Sequence, residues 1–447
     1  MKLRKLGIGL GIAGAAGILA VVVAFAAPPA KKGARLEKDF DAEITRYAQT
    51  MLEKGRKIFR YDTFGSEAFW GDQLQLHKAI AGAKHGGVGP GVSPKTALAV
   101  GLKVDADALP AALKKRLAAG KVNLDDPATT IALLKLNAVV GVTAFANPDG
   151  GIKSMGIQCS FCHSTVDDSF APGIGRRLDG WANRDLNVGA IIALAPNLEP
   201  FSNLLGVDID TVKKVLASWG PGRFDAVLDK DGKALRPDGK QAGTLIPPAF
   251  GLAGVNLHTW TGWGSVPYWN AYVGATEMHG KGTFYDGRLR GKDQVPVAAK
   301  TEAGNTRGKP DRLTGKLAAL HIYQLSIPAP KAPAGSYSQA RFKRGDALFN
   351  GAAKCATCHV PPLFTEPGEN LHTPAEIGID SFQADRSPTR MYRTAPLAGL
   401  WSHQKGGFYH DGRFATLLDV VNHYDAHLNL GLTEENKKDL VEYLKGL

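Results

Sequence analysis

The sequence predicts a mainly α-helical chain of two domains, the first enlarged by large insertions. Three observations lead there. Two pentapeptides, Cys159-Ser-Phe-Cys162-His163 and Cys355-Ala-Thr-Cys358-His359, share the pattern Cys-x-x-Cys-His and contain all four cysteines of the 447 residues. A Gly-x-x-x-Phe segment precedes each of them, Gly55-Arg-Lys-Ile-Phe59 and Gly345-Asp-Ala-Leu-Phe349. An amphipathic stretch closes each half, with Leu313, Leu317, Leu320 and Leu325 in the first and Leu440, Val441, Leu444 and Leu447 in the second. Thr433, followed by Glu434-Glu435, reads as the N-cap and first turn of that last helix.

Cys-x-x-Cys-His is the signature of covalent c-type haem attachment. The two thiols form thioethers to the porphyrin vinyl groups, and the histidine becomes the proximal ligand of the iron. Two Cys-x-x-Cys pairs could instead build a four-cysteine zinc site or act as redox dithiols. Neither alternative explains a histidine directly after each pair. The sequence therefore predicts two covalently bound haem c groups. Cys159, Cys162, Cys355 and Cys358 would attach them, and His163 and His359 would ligate the irons.

The chain begins with Lys2, Arg4 and Lys5, then an uncharged stretch over residues 6–27, with Ala24-Phe25-Ala26 as a small-x-small cleavage site. That pattern predicts export to the periplasm or another extracytoplasmic compartment, where haem c is attached. The stretch is also long enough to span a bilayer. Residues 1–27 thus read either as a signal peptide or as an inner-membrane anchor. The net charge is +12, from 54 Lys and Arg against 42 Asp and Glu. No basic run accompanies a nucleic-acid motif, so nucleic acid is not an expected partner. A basic exterior could steer an acidic electron-transfer protein.

Residues 28–330 read as the first haem domain, with insertions at about 60–152 and 194–264, and residues 331–447 as a compact second one. A Pro-rich linker, Ile327-Pro-Ala-Pro-Lys-Ala-Pro-Ala-Gly335, joins them. Phe284-Tyr-Asp-Gly-Arg288 is echoed by Phe408-Tyr-His-Asp-Gly-Arg413, a sign of duplication. In the second insertion Asp229-Lys-Asp-Gly232 begins like a calcium loop but lacks the later ligands, so it reads as a turn. Trp260, Trp263, Tyr268, Trp269 and Tyr272 form an aromatic-rich run, suited either to core packing or to an apolar wall beside a haem.

The segment around Gly345 and Phe349 resembles the end of the N-terminal helix of a class I cytochrome c. From Gly55 onward the chain resembles the bacterial dihaem cytochrome c peroxidase superfamily, which includes the methylamine-dehydrogenase-maturing enzyme and, more distantly, the rubber oxygenases. The resemblance is most specific at Arg393-Thr-Ala-Pro396, Gly407-Phe-Tyr-His-Asp-Gly412 and Ala415-Thr-Leu417. It implies two class I cytochrome c-like domains whose haems face a shared region, and it admits a calcium ion between them.

The resemblance also makes the two haems unequal. A ligand on the helix after His-Asp-Gly closes the second iron in relatives, and here Tyr424 or the adjacent His423 stands there. Near the first motif Arg176 takes the place of the relatives' distal histidine, which implies an open iron unless His258, Met278 or His279 fills the position. Tyr285 stands where relatives carry a tryptophan between the haems, and the acidic loop that assists O–O cleavage is missing after Arg288. The expected function is electron transfer with peroxide- or dioxygen-dependent redox chemistry at the first haem, that is, a dihaem oxidoreductase. Its partners would be an electron-transfer protein or a quinone-linked donor or acceptor, with peroxide, dioxygen or an apolar substrate at the open site. The competing class is a pure electron carrier with two six-coordinate haems.

Overall fold

The protein is described by a computed structural model over residues 33–447, with side chains from residue 39 onward. The basic start and the stretch over residues 6–27 lie outside the described residues. The chain divides into two compact units, residues 1–47 and 48–447. The helix Gly33–Tyr61 supplies the described part of the first and continues into the second. No helix among the described residues is long and apolar enough to cross a membrane.

Helices dominate residues 48–447, and every sheet among the described residues has only two strands. With 53 glycines and 26 prolines, long uninterrupted strands have little room to form. Apolar residues gather in two main cores. One holds Phe59, Trp70, Leu74, Met155, Phe161 and Leu320. The other holds Phe349, Leu400, Leu417, Val421, Leu440 and Leu444.

The paired glycines have a common physical role. A Cβ on Gly345 would lie 2.2 Å from the Asp439 carbonyl oxygen, and one on Gly55 would lie 2.0 Å from that of Ala319. Each marks a backbone-to-backbone helix crossing. Gln339–Phe349 packs on Glu434–Gly446, and the helix ending at Tyr61 packs on Leu317–Ser326. Asp439 strengthens the second crossing, because its buried carboxylate accepts from Arg341 at 2.9 Å and Arg344 at 2.6 Å.

The predicted first insertion folds against this frame. Its helices Leu76–Ala81 and Pro127–Lys135 cover the hairpin Val142–Ala146/Ile152–Ile157, which runs directly into the first Cys-x-x-Cys-His motif. Residues on either side of the Pro-rich stretch are knitted together. Leu245 donates its N–H to the His410 carbonyl at 2.7 Å, and Arg393 does the same to Trp260 at 3.1 Å. Arg223 reaches the Asp411 carbonyl at 2.8 Å, and the Trp401 indole reaches that of Pro330 at 3.0 Å.

Adding a methyl at a crossing overpacks it. Gly345→Ala should lower stability by about 1–3 kcal/mol. Gly315→Ala, where nothing lies within 4 Å of an added Cβ, should leave it nearly unchanged. Chemical denaturation of the two variants side by side checks this.

Candidate functional site

The hairpin positions the first motif by burying one residue of it. Phe161 is 3% exposed, and it fits only because Gly141, at φ +87°, has no Cβ to strike it. The neighbouring residues Cys159, Cys162 and His163 are thereby turned toward a cavity of about 240 Å³. His163 Nδ1 lies 3.1 Å from the Pro247 carbonyl oxygen. A carbonyl can only accept, so Nδ1 carries the hydrogen and Nε2 keeps its lone pair, the tautomer an iron ligand needs. Burial pulls the His163 pKa down to about 4, which keeps the ring neutral. The Cys159 and Cys162 thiols are pushed up to about 12 by burial, so they remain protonated.

Three tryptophans of the aromatic run, Trp260, Trp263 and Trp269, form much of the cavity wall. The Trp260 indole donates to the Leu245 carbonyl at 2.9 Å, whereas the indole N–H groups of Trp263 and Trp269 are buried without a partner. The residues present fit a haem. Apolar walls suit the macrocycle, two thiols suit its vinyl groups, and a neutral imidazole suits the iron. The unpaired indole donors suit the haem carboxylates, since a buried donor is costly when left alone.

The C-terminal half also reaches this cavity. Gln383, Arg386, Ser387 and Arg393 all line it. The Arg386 side chain is fully buried and sits between Asp225, at 3.0 Å, and Asp231, at 2.7 Å. Arg393 has no carboxylate partner. Its guanidinium donates to the carbonyls of Leu257, at 2.7 Å, and Thr259, and burial pulls its pKa down to about 10.

At the second motif, the turn Cys355–Thr357 follows the helix Gln339–Phe349. His359 is fixed as His163 is, with Nδ1 3.0 Å from the Phe364 carbonyl, and burial lowers its pKa. Tyr424 comes from the helix Leu417–Leu428, capped at Thr416 by a reciprocal bond with Asp419. Burial raises the Tyr424 pKa, and the nearness of Cys358 and Cys355 adds to this. Beside it the Tyr409 hydroxyl is buried and faces that of Tyr424, a contact that opposes the rise, with the two rings 6.3 Å apart. His423 points elsewhere, its Nε2 held 2.8 Å from the Ile377 carbonyl. His410 is buried and stacked on Tyr392, with ring centroids 5.2 Å apart. Glu366 and His372 stand near Cys358, all three ligand atoms lying within 4.8 Å of one another. Haem attachment would take the thiol from that group and leave a carboxylate–imidazole pair, 2.6 Å apart.

Two of the residues singled out from the sequence lie outside the cavity. Arg176 is exposed, and Tyr285 is 58% exposed. A break between two short strands turns Arg176 outward, and strand alternation does so for Tyr285. Arg176 falls between the strands Ile174–Gly175 and Arg177–Asp179, and it is Arg177 that turns inward, to Asp105 at 3.0 Å. In Thr283–Tyr285 it is Phe284 that is buried, at 4% exposure. His279 stacks on Phe69, away from the motif, whereas His258 and Met278 line the cavity. The sequence reading passed over Glu277, which also lines it. Its signal was an isolated acid just after the aromatic run. Arg386 carried no comparable signal.

No family model matches the chain. It is 30% identical over 154 residues to the methylamine utilization protein MauG of Methylorubrum extorquens, covering 29% of this chain and 43% of that protein. It is 27% identical over 188 residues to the cytochrome-c peroxidase IdrP1 of Denitromonas iodatirespirans, covering 30% of this chain and 50% of that one. The chain thus spans about half the length of the curated relatives it matches. Among solved structures, a MauG-like protein associated with microbial copper homeostasis aligns with a TM-score of 0.31 at 18% identity. It covers 48% of this chain and 77% of that one. Hydrazine synthase of Kuenenia stuttgartiensis aligns with a TM-score of 0.29 at 20% identity, covering 48% and 76%.

Removing Arg386 would strand two buried carboxylates. Arg386→Met should cost about 3–5 kcal/mol, the range for breaking a buried ion pair from one side. Denaturant titration should register the loss.

Proposed function

Taking as premise that the chain belongs to the dihaem cytochrome c peroxidase-like superfamily, we propose that it is an exported dihaem c-type oxidoreductase with two unequal centres. The first, held by Cys159, Cys162 and His163, is open and uses peroxide or dioxygen. The second, held by Cys355, Cys358 and His359 and closed by Tyr424, passes electrons. In this reading residues from about 28 to 330 and from 331 to 447 each carry one haem.

One observation carries the reading. The first motif borders a roomy aromatic cavity, whereas the second has the half-buried Tyr424 beside its thiols. Bound haem would supply the electron-transfer and oxygen chemistry. The chain's own residues do the rest. His163 is held as the neutral tautomer by Pro247, and the three tryptophans exclude bulk water. Arg393, brought in from the C-terminal half and bonded only to carbonyls, places positive charge in the wall where an anionic group would sit. Electrons would come from a small redox protein, and the basic charge of the chain favours an acidic one.

The carrier reading draws on His258 and Met278, which share the cavity wall. His258 Nε2 is already engaged by the Val255 carbonyl at 3.0 Å, which weighs against it as a ligand.

Spectroscopy separates the two readings. The ferric protein should show one high-spin and one low-spin haem, and cyanide should shift the high-spin signal alone. Two unresponsive low-spin haems would establish the carrier instead. Tyr424→Phe should alter the low-spin signal, while His423→Gln should leave it in place.

A further inference from the structure

Glu277 stands at a partition. It lines the main cavity, and with Trp70 and Phe224 it also lines a smaller neighbour of about 50 Å³. Asp229, from the turn that resembled the start of a calcium loop, also lines that smaller cavity. Lys230 joins the two carboxylates, with its Nζ 3.2 Å from Glu277 and 2.5 Å from Asp229. Asp229 is the solvent-side member, its side chain 21% exposed against 7% for Glu277 and 1% for Lys230.

We propose that Asp229, Lys230 and Glu277 form a proton relay from solvent to the cavity at the first motif. The inference rests on the reading of that cavity as an open haem site.

The arrangement is more than a structural ion pair. One ammonium faces two carboxylates, and a net negative charge in a buried site is costly unless a proton is shared. Burial, followed by the charge of Asp229, raises the Glu277 pKa against the pull of Lys230. Of the other titratable groups near Glu277, Asp225 belongs to Arg386 and His279 is neutral against Phe69, while the Tyr272 hydroxyl donates to the Ala226 carbonyl and also faces Glu277. A second observation points to water. Asp229 Oδ1 and Trp219 Nε1, both from residues lining the small cavity, are buried without a protein partner. Its volume exceeds the roughly 10–15 Å³ that one water requires.

Protonated Glu277 gives its proton into the main cavity. The Lys230 ammonium then gives one to the Glu277 carboxylate. The resulting amine takes one from solvent, as a hydronium proton passed along the water of the small cavity beside the Asp229 carboxylate, which accepts it and hands it on. The net change is one proton inward and no electrons. Two such cycles match H2O2 + 2H+ + 2e− → 2H2O, with the electrons supplied by an external one-electron donor protein.

Cyanide binding tests the relay without turnover. HCN enters neutral and binds as an anion, so its proton must pass to a base in the cavity, and Glu277 is that base on the alkaline side of its raised pKa, where the mixing is done. Stopped-flow mixing of HCN with the ferric holoprotein should show roughly tenfold or greater slowing in Glu277→Gln, as expected for loss of a positioned base. Lys230→Gln and Asp229→Asn should each slow binding less, and neither should add to the Glu277→Gln effect. A Glu277→Gln rate within about twofold of the native rate would overturn the relay, since a positioned base contributes far more. If the native protein itself does not bind cyanide, the open-site reading falls first. Should a single variant lose haem, the Lys230→Gln/Glu277→Gln pair, neutral and similar in size, takes its place under the same criteria.

Discussion

The ion triad of Arg386 with Asp225 and Asp231 is the interaction on which the site depends. A fully buried guanidinium between two carboxylates is stable only when both partners are in place. It therefore fixes the segment around residues 383–387 against the first half of the chain. Arg393 reinforces this by donating to the backbone carbonyls of Leu257 and Thr259. These contacts make one wall of the first motif's cavity from the opposite half of the sequence. A cavity assembled this way has its polarity set by residues far from its cysteines.

The two Cys-x-x-Cys-His motifs share chemistry and differ in surroundings. In both, a backbone carbonyl holds Nδ1 and burial keeps the imidazole neutral. Around His163 the walls recede and carry a carboxylate, two arginines and unpaired indole donors. Around His359 a half-buried tyrosine stands beside the thiols. The difference comes from the hairpin that carries the first motif and from the tryptophans of the aromatic run, which bound its cavity. Turn residues that read as punctuation in sequence supply two separate buried clusters: Asp229 and Lys230 serve Glu277, while Asp231 serves Arg386.

Much of the frame was legible because it rests on local rules. The glycines at 55 and 345 announce close helix crossings, and the leucine spacing announces the helices they meet. The motifs name their own chemistry. Arg176 and Tyr285 rest on resemblance alone, and both face outward, Arg176 from the break between two strands and Tyr285 by strand alternation. A shift of one residue reverses a strand side chain, so resemblance at short strands fixes a position poorly. Arg386 and Glu277 were illegible for another reason. Their partners lie 47 to 161 residues away, and no periodicity records such a pairing.

Iron anomalous diffraction from crystals of the holoprotein tests the central claim most directly. The account predicts two iron peaks, one 2 Å-class bond from His163 Nε2 with the cavity open on its other face, and one held between His359 and Tyr424. A single iron, or two irons each capped on both faces by side chains, would contradict it.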